Sequence, residues 1–479
     1  MKILIPALAL FLLLCANDLL AQEGYEHLSP VAHGAGRTYV VSSQGLSAVG
    51  LNPALLEPEG NTTWAFNVFP VSAFGIDAGP SFKDASSLSS IFKPEDGNIS
   101  KEKRRQIADL LLNEKMSGRA DVEILGVSYN TESMGTFAFT WTTHAAARTV
   151  LSDQFLTFLQ NFESKITQGP ESTYGDFDFQ GMWYHEYSLS YARTLLSAAA
   201  KDDDFLRSLK VGGALKYVAG TGYIGLDDGN YFHYKPGNNS AVIDVNYRIR
   251  SSYTSDFDPK NVPTSFSFGF ITSNQAGSGF GFDLGVNADL FKSADGGSVL
   301  GLGASVTDIG SITWSKNATV RTADHLHDTV AFLSASNPDY TSVLGKKYSG
   351  KLEDVSSFTT SLPTMLRLGA LLDLDRAGMG IGYFSSKAAI EYATGLSDVV
   401  GSLNNPRIGL GVMLEKQSDV LSLRLEAGYV IQKNQSDLTL GAGTTIINLI
   451  DVDLATAHFG DIFSSSGRSD VALAVRLHL

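Results

Sequence analysis

Histidine and aspartate stand close together at one point of the sequence, where they could hold a metal ion. His325 and His327 are separated by one residue and flanked by Asp324 and Asp328. In an extended segment the two imidazoles share a face, and imidazole with carboxylate is a common zinc ligand set. The run lies within a long polar segment, so a solvated loop is the favoured interpretation. We predict no metal and no other cofactor.

Motifs for nucleophilic catalysis or phosphate binding are weak. The glycine-rich runs at 277–281 and 301–303 lack the Lys-Ser/Thr ending and the following helix of a phosphate-binding loop. No G-x-S-x-G nucleophile elbow occurs. A barrel enzyme acting on lipid stays a minor alternative; we predict no catalytic residue and no enzyme activity. Glycine at alternate positions fits strand residues that face a barrel interior next to a plug.

The composition disfavours several classes of protein. The 479 residues are 18% charged and 10% aromatic and include 47 glycines. Disordered chains are richer in charge and poorer in aromatic residues, and coiled coils contain little glycine. The formal net charge of −14 argues against a nucleic-acid partner, because such binding needs concentrated positive charge.

The N-terminus has the pattern of a secretory signal peptide. An apolar run follows Lys2 and ends at Ala16, and Ala21 is a small residue at a cleavage position, so residues 1–21 are predicted to be removed. The run is shorter than the roughly 20 residues of a membrane-spanning helix. Cys15 is the only cysteine, and lipidation there is disfavoured because the preceding residue is large. The mature chain is expected to lack disulfides.

Strand-like alternation recurs through the rest of the chain. In 278–291, apolar Phe280, Phe282 and Leu284 alternate with Gly281 and Asp283, which is the period of a strand with two different faces. The same alternation occurs in 363–374, 420–431 and 471–479, and near 62–74, 120–130, 135–143, 183–195, 208–219, 298–307, 379–386, 406–415 and 436–447.

Three features favour an all-β, transmembrane antiparallel barrel over a soluble sandwich. The less apolar face of the strands carries glycine, small residues and charges, as in a crowded or wet lumen. The chain ends on an alternating strand. Aromatic residues cluster near strand ends, as in interfacial girdles: Trp64, Phe66, Phe69, Trp141, Trp183, Tyr184, Tyr187, Tyr191 and Trp314. We therefore expect residues 61–479 to form a barrel in the lipid of the bacterial outer membrane.

Short and long links alternate along the chain, as periplasmic turns and extracellular loops do in such barrels. Short links lie at 130–135, 293–297, 375–378 and 415–419, and long links at 75–119, 144–182, 220–278, 308–362 and 387–405. With 241–253 and 264–273 as hairpin extensions of a loop, we predict 14 strands, within a range of 12 to 16. Residues 448–469 are expected to be a return segment.

Two of the long loops are predicted to contain short helices. One is 101–113. The other spans 150–162 and carries a wide apolar stripe, which consists of Leu151, Phe155, Phe158, Leu159 and Phe162. Ordinary packing over the barrel rim is the favoured interpretation of this stripe; the alternative is an apolar capture surface on the outer face.

The N-terminal segment 22–60 is rich in glycine and proline and shows little alternation, so it is predicted to fold into the lumen as a hatch or plug. Its run 45–56, which contains Asn52-Pro53-Ala54, resembles the hatch segment of FadL-like outer-membrane barrels. Blocks at 210–220, 281–285 and 307–314 are similar to a FadL/PorV-type family of largely uncharacterised barrels.

The resemblance implies a 14-stranded barrel with a plugging N-terminus. In the FadL branch it implies uptake of long-chain fatty acids and other hydrophobic compounds. In the PorV branch it implies a shuttle that hands secreted proteins to a cell-surface attachment machinery. Our leading hypothesis is passive uptake of a hydrophobic small molecule; the alternative is a protein-interaction barrel whose partner belongs to a secretion machinery.

Only Asn52, Pro53 and Ala54 are carried over from the family, as a hatch or gating motif. A residue before proline favours an extended or turn geometry, and an asparagine amide can bond nearby backbone groups. Structural anchoring of the hatch is the favoured role of Asn52, with ligand contact or gating as the alternative.

Overall fold

A computed structural model describes most of the chain from Ser29 onward. The described residues are 29–57, 62–68, 74–79, 116–131, 133–150, 152, 154–155, 157, 170–175, 177–197, 205–237, 240–254, 275–331, 348–418, 420–433, 435–459 and 469–479. The predicted signal peptide, the boundary between hatch and barrel at residue 60, the helix at 101–113 and the hairpin extension at 264–273 lie outside these residues.

The described chain is almost entirely β-structure. Two short helices, α1 (Pro30–Gly34) and α2 (Tyr39–Ser42), and two 3₁₀ turns, Gly45–Ala48 and Pro53–Leu55, precede the strands. The strands are β1 (Trp64–Val68), β2 (Phe74–Gly79), β3 (Met116–Thr131), β4 (Gly135–Val150), β5 (Ser172–Gly175), β6 (Asp178–Ser197), β7 (Leu206–Leu226), β8 (Tyr231–Gly237), β9 (Ser240–Tyr253), β10 (Gly277–Lys292), β11 (Ser298–Trp314), β12 (Thr319–Ala331), β13 (Lys351–Asp354), β14 (Phe358–Ser361), β15 (Met365–Asp373), β16 (Ser385–Gly395), β17 (Arg407–Lys416), β18 (Leu421–Gln432), β19 (Gln435–Ile446), β20 (Ile450–Thr456) and β21 (Ser469–His478).

Fourteen strand positions close into an antiparallel barrel. β1 and β2 share the first position, because both pair with β3 on one side and with β21 on the other. The ring continues through β3, β4, β6, β7, β10, β11 and then β15 to β21, each paired with the next. The predicted all-β barrel of 14 strands is confirmed.

Two segments differ from the expectation. The predicted return segment 448–469 contains a barrel strand, β20, which pairs with β19 and β21. The strand predicted near 379–386 begins only at Ser385. Glycine alternates with apolar residues over 378–383, which mimics the strand period, but Gly378 and Gly382 have φ of +74° and +95°, a backbone conformation that belongs to turns rather than strands.

The outside of the barrel is apolar. Phe280, Phe282 and Leu284 on β10 are exposed at 61%, 50% and 61%, whereas Asp283 between them is fully buried. The same outward apolar face occurs on β18, where Leu421, Leu423 and Leu425 are exposed. An exposed apolar belt next to a polar interior is the arrangement of a transmembrane barrel.

Aromatic residues confirm the girdle only in part. Near the turn at 131–135, Trp64 packs on Tyr129 and Phe137 on Tyr191, with ring centroids 4.3 and 4.9 Å apart. Tyr184 and Trp314, also expected in a girdle, are instead buried inside the barrel. Both lie on strands whose inward face is apolar near the long-loop end. The strand period alone does not tell an apolar residue that faces the lipid from one that faces an apolar lumen.

A second sheet extends the barrel wall at the long-loop end. β5, β8, β9, β12 and β13 pair in that order, and the end of β9 continues onto β7. The predicted extension at 241–253 is therefore confirmed as β9. Within the described residues, no helix is long and apolar enough to span a bilayer.

Candidate functional site: the hatch and the barrel interior

The N-terminal segment crosses the barrel interior. Helix α1 contacts β18 to β21, α2 contacts β11, β15 and β16, and the turn Pro53–Leu55 contacts β6, β7 and β10. These contacts lie on several sides of the ring, and most residues from 29 to 56 are buried. Residues 29–57, called the hatch below, therefore fill the lumen, as the resemblance implied.

Asn52 holds the hatch together at its centre. Its side chain is fully buried, and its amide nitrogen donates to the Val40 carbonyl at 2.8 Å and to the Val286 carbonyl of β10 at 3.5 Å. Its side-chain oxygen accepts a hydrogen bond from the Ala54 amide at 3.2 Å and so caps the turn Pro53–Leu55. Asn52 thus links two hatch segments to each other and to the wall.

Glycine pairs in the wall make room for the hatch. Three such pairs face each other across neighbouring strands: Gly212 with Gly285, Gly303 with Gly369, and Gly411 with Gly428. A β-carbon at any of the six would lie within 2.7 Å of an atom of the hatch. The pairs receive Asn52–Pro53, Val40 and Ala35–Gly36 respectively. Among the glycines predicted to face a plug, Gly303 contacts the hatch, whereas Gly277 and Gly279 meet the neighbouring strand instead.

Buried charges bind one side of the hatch to the wall. Asp470 of β21 accepts from His33 Nε2 at 2.6 Å and from Arg37 at 3.3 Å. His33 Nδ1 lies 2.6 Å from the Tyr39 hydroxyl. All four side chains are buried, and burial raises the pKa of Tyr39 above its ordinary value. Buried charges that are paired and hydrogen-bonded are strongly destabilising when one partner is removed.

A second buried pair holds the chain around α2. Glu391 of β16 and Arg407 of β17 form a salt bridge of 2.9 Å, and both side chains are fully buried. Glu391 accepts a hydrogen bond from the Val40 amide at 2.6 Å, and Arg407 donates to the Arg37 carbonyl at 3.2 Å. The pair therefore satisfies hatch backbone groups that the short helices leave without partners.

A layer of charged side chains lies directly above the hatch, toward the long-loop end. The Lys216 ammonium contacts carboxylates of Glu186, Asp283 and Asp308 at 3.2, 2.9 and 2.6 Å. Nearby, Asp121 accepts from Arg119 at 2.7 Å and lies 2.6 Å from His144. The space between this layer and hatch residues 49–51 is a cavity of about 40 Å³.

An apolar cluster lies above the charged layer, inside the barrel mouth. Its buried members, called the mouth cluster below, are Met182, Tyr184, Val218, Tyr223, Ala276, Ile312, Trp314, Leu362, Val399 and Val400. The last two belong to the loop between β16 and β17, residues 396–406, which folds inward. The Val400 amide donates to Gln180 at 2.9 Å, and the Gly401 carbonyl accepts from Arg119 at 3.2 Å. This inward loop therefore packs into the mouth cluster and contacts the charged layer at Arg119.

The short-turn end is open by comparison. A cavity of about 800 Å³ lies between the hatch and the turns at this end. Its lining includes the charged side chains of Arg424, Glu426, Asp453 and Arg476. A smaller space of about 200 Å³ lies beside it, near Lys210 and Asp289. Among the described residues, the interior is therefore open below the hatch, whereas the charged layer and the mouth cluster occupy the space above it.

Of the predicted apolar stripe, only Phe155 is described. It packs against Tyr174 and Phe232 of the extension sheet and against Phe177 beside it, with ring centroids 4.7 to 5.9 Å apart, which supports packing over capture for this one member. Leu151, Phe158, Leu159 and Phe162 lie outside the described residues.

The two histidines of the possible metal motif belong to a strand rather than a loop. His325 and His327 are exposed on β12. His325 has φ of +45° at a register shift of the strand, and its Nδ1 lies 2.5 Å from the Tyr231 hydroxyl. His327 lies 3.7 Å from Asp244. No group of three or more metal-ligating side chains occurs among the described residues.

Together the fold and the interior define a transmembrane β-barrel closed by an N-terminal hatch. The chain belongs to a protein family of unknown function, DUF5723, whose profile matches residues 53–445. No curated protein matches the sequence. The 14 strands and the inserted N-terminus are the fold that the resemblance to FadL-like barrels predicts.

Several solved structures are similar to this chain over almost its whole length. The toluene transporter TodX of Pseudomonas putida is 12% identical, with 96% of this chain and 99% of that chain covered and a TM-score of 0.39. A TodX monoaromatic hydrocarbon channel mutant gives the same identity and coverage with a TM-score of 0.43. A Pseudomonas aeruginosa FadL homologue is 12% identical over 96% of this chain and 97% of that chain, with a TM-score of 0.35.

Proposed function

We propose that this protein is an outer-membrane barrel for the passive uptake of hydrophobic small molecules. The observation that carries the proposal is the mouth cluster. Interiors of transmembrane barrels are polar, yet here ten buried apolar residues meet inside the barrel at its outer end. A hydrophobic molecule that arrives from outside would find there an apolar environment, into which it transfers favourably from water.

The closed interior makes this a gated barrel. The mouth cluster is completed by Val399 and Val400 of the inward loop, so a ligand must displace this loop in order to bind. Below it, the charged layer and the hatch leave a cavity of only about 40 Å³, close to the volume of a single water molecule. Uptake therefore requires movement of the inward loop first and of the hatch second, with Asn52, Pro53 and Ala54 as the hatch anchor.

The location follows from the exposed apolar belt together with the predicted signal peptide at residues 1–21. Outer-membrane lipid is then the barrel's permanent partner. The protein is proposed to act by binding and release alone.

A second candidate function is a PorV-like barrel that binds a protein of a secretion or surface-attachment machinery. The mouth cluster in the outer half of the lumen favours it, because a barrel that only binds a partner protein needs no open path for a ligand through its lumen. The extension sheet favours it as well, since it projects a wall with an aromatic core, including Tyr174, Tyr234 and Phe232, beyond the barrel.

Mass spectrometry of the protein extracted in mild detergent separates the two candidates. A stoichiometric apolar small molecule in the wild type, lost in Val218→Thr on the wall side of the mouth cluster, supports uptake. Val→Thr keeps the shape and adds a hydroxyl, and Val412→Thr on the lipid-facing side is the matched control. A stoichiometric protein partner with no small molecule supports the second candidate and contradicts the first.

A further inference from the structure

The cavity below the hatch, called the vestibule, has features that transport does not require. It measures about 800 Å³ and lies at the short-turn end, with Ser42 and residues 44–47 of the hatch as part of its lining. Its wall comes mainly from β15 to β21. A cavity of this volume can hold a small organic molecule.

One buried carboxylate in the vestibule has no polar partner among the described residues. Glu426 of β18 lines the cavity and is only 4% exposed. Its side chain makes no hydrogen bond or ion pair with any described residue. A carboxyl group buried without a partner is costly to ionise, and a cation that pairs with it favours the ionised form. The nearest cationic neighbour along the strand, Arg424, is engaged elsewhere: it donates to Asp453 at 2.6 Å and to Thr445 at 2.8 Å.

Most of the other charges of the vestibule pair with one another. Asp453 is shared between Arg424 and Arg476, whose Nη1 lies 3.4 Å away. Asp451 accepts from His478 at 2.8 Å. The lining contains four carboxylates and three lysine or arginine side chains: Glu415, Glu426, Asp451 and Asp453 against Lys387, Arg424 and Arg476. The carboxylates therefore outnumber these cations by one, and the site favours a positive ligand.

We propose that the vestibule binds a small organic amine, whose ammonium group pairs with Glu426. A divalent metal ion fits poorly, because Ca²⁺ and Mg²⁺ take six or more oxygen ligands and the described residues contain no group of three or more ligating side chains. An ammonium group needs one carboxylate and a few hydrogen-bond acceptors, and the hydroxyl groups of Ser422 and Thr445 line the same cavity.

The amine also touches the hatch. A β-carbon placed on Gly441 would lie 2.6 Å from Glu426 Oε2 and 3.2 Å from the Gly34 Cα, so the carboxylate lies beside the last residue of α1. A ligand that binds this closed arrangement, and not the displaced one, stabilises the closed hatch by mass action. The inference does not depend on what the barrel transports.

Titration calorimetry of the full protein in detergent tests the site, with diaminopentane as the probe at constant ionic strength. Saturable binding is expected for the wild type. Glu426→Gln should weaken it about tenfold or more, because a charge-assisted hydrogen bond is lost. Glu415→Gln removes the same charge from the same cavity and should change the affinity less than about threefold, as a screened, indirect charge does.

An equal loss of affinity in Glu426→Gln and Glu415→Gln would show diffuse electrostatic attraction only and would overturn the proposal. Unchanged affinity in Glu426→Gln, or no saturable heat in the wild type, would overturn it as well. A competition between two amines on the wild-type protein tests the proposal even if Glu426→Gln does not fold. Tetramethylammonium has the same charge per nitrogen but no N–H group, and it should compete at least about tenfold more weakly than diaminopentane. Equal competition would contradict direct pairing with Glu426.

Discussion

Gly212 and Gly285 face each other across β7 and β10, and together they form the notch that receives the Asn52–Pro53 peptide. A β-carbon at Gly212 would lie 2.3 Å from the Pro53 carbonyl carbon, and one at Gly285 would lie 2.1 Å from Asn52 Oδ1. The backbone of the hatch thus fits the wall only where the wall has no side chain. This fit fixes the hatch more tightly than apolar contact alone would.

Gly285→Ala should loosen the hatch. The added methyl overlaps Asn52, and overpacking of this kind costs about 1–3 kcal/mol. We expect faster proteolysis of the hatch and larger or more frequent channel openings in planar bilayers. Gly301→Ala is the matched control, because its nearest neighbours would be 3.6 Å from the new β-carbon. Unchanged proteolysis and conductance in Gly285→Ala would contradict a tightly fitted hatch.

Asn52→Ala should weaken the same region by removing hydrogen bonds. The buried Val40 carbonyl and Ala54 amide lose their partner, at a cost of about 1–3 kcal/mol for unsatisfied buried groups. The barrel itself should keep its heat-modifiable migration on a gel, while the hatch becomes protease-sensitive. Asn52→Ser can still cap the turn at Ala54 and loses the donor to Val40 without adding a charge, so an intermediate effect is expected. An effect as large as that of Asn52→Ala would assign the anchoring to the donor alone.

Glu391→Gln should be more damaging than either change above. The fully buried Arg407 loses its counter-charge, and breaking a buried pair costs about 3–5 kcal/mol. We expect a lower thermal midpoint for hatch release, measured by proteolysis against temperature. Replacing both partners, Glu391→Gln with Arg407→Leu, should recover part of the loss. A double variant weaker than the single one would show that the two side chains do not act as a pair.

Alkaline pH should release the hatch through Tyr39. Burial raises the pKa of this phenol above its ordinary value of 10, so the closed hatch holds the neutral form. The stabilisation is complete below about pH 10 and is lost as pH rises from there toward the raised pKa. Hatch proteolysis should therefore increase above about pH 10, and this step should be reduced in Tyr39→Phe. The same pH profile in Tyr39→Phe would assign the step to another group.

Much of the architecture follows from local patterns in the sequence. Alternation such as Phe280–Asp283–Leu284 defines each strand's outward and inward faces, because the side-chain period of a strand is fixed. Link lengths then give the number of strands. The period wrongly predicted a strand at 379–384, where Gly378 and Gly382 turn the chain. It also did not predict that Tyr184 and Trp314 face inward, because an apolar residue fits either the lipid or an apolar lumen.

The interior network was much less predictable. His33 and Asp470 are 437 positions apart, and nothing local in the sequence pairs them. The sequence predicts the glycine pairs only weakly, through inward-facing glycines on neighbouring strands. Which hatch residue each pair contacts, such as Asn52 or Val40, depends on the register of the whole barrel. Asn52 itself was found through its resemblance to a family motif, and its hydrogen bonds became evident only in the fold.

Uptake of a hydrophobic fluorescent probe such as N-phenyl-naphthylamine by whole cells tests the central claim most directly. We expect faster uptake in cells that produce the protein than in cells that do not. Uptake should be faster still in Gly285→Ala, because the added methyl would lie 2.1 Å from Asn52 Oδ1 and loosens the hatch. Gly301→Ala, whose new β-carbon would meet no atom closer than 3.6 Å, should give the wild-type rate. A rate that is the same with and without the protein, or that is unchanged in Gly285→Ala, would contradict gated passage through the lumen.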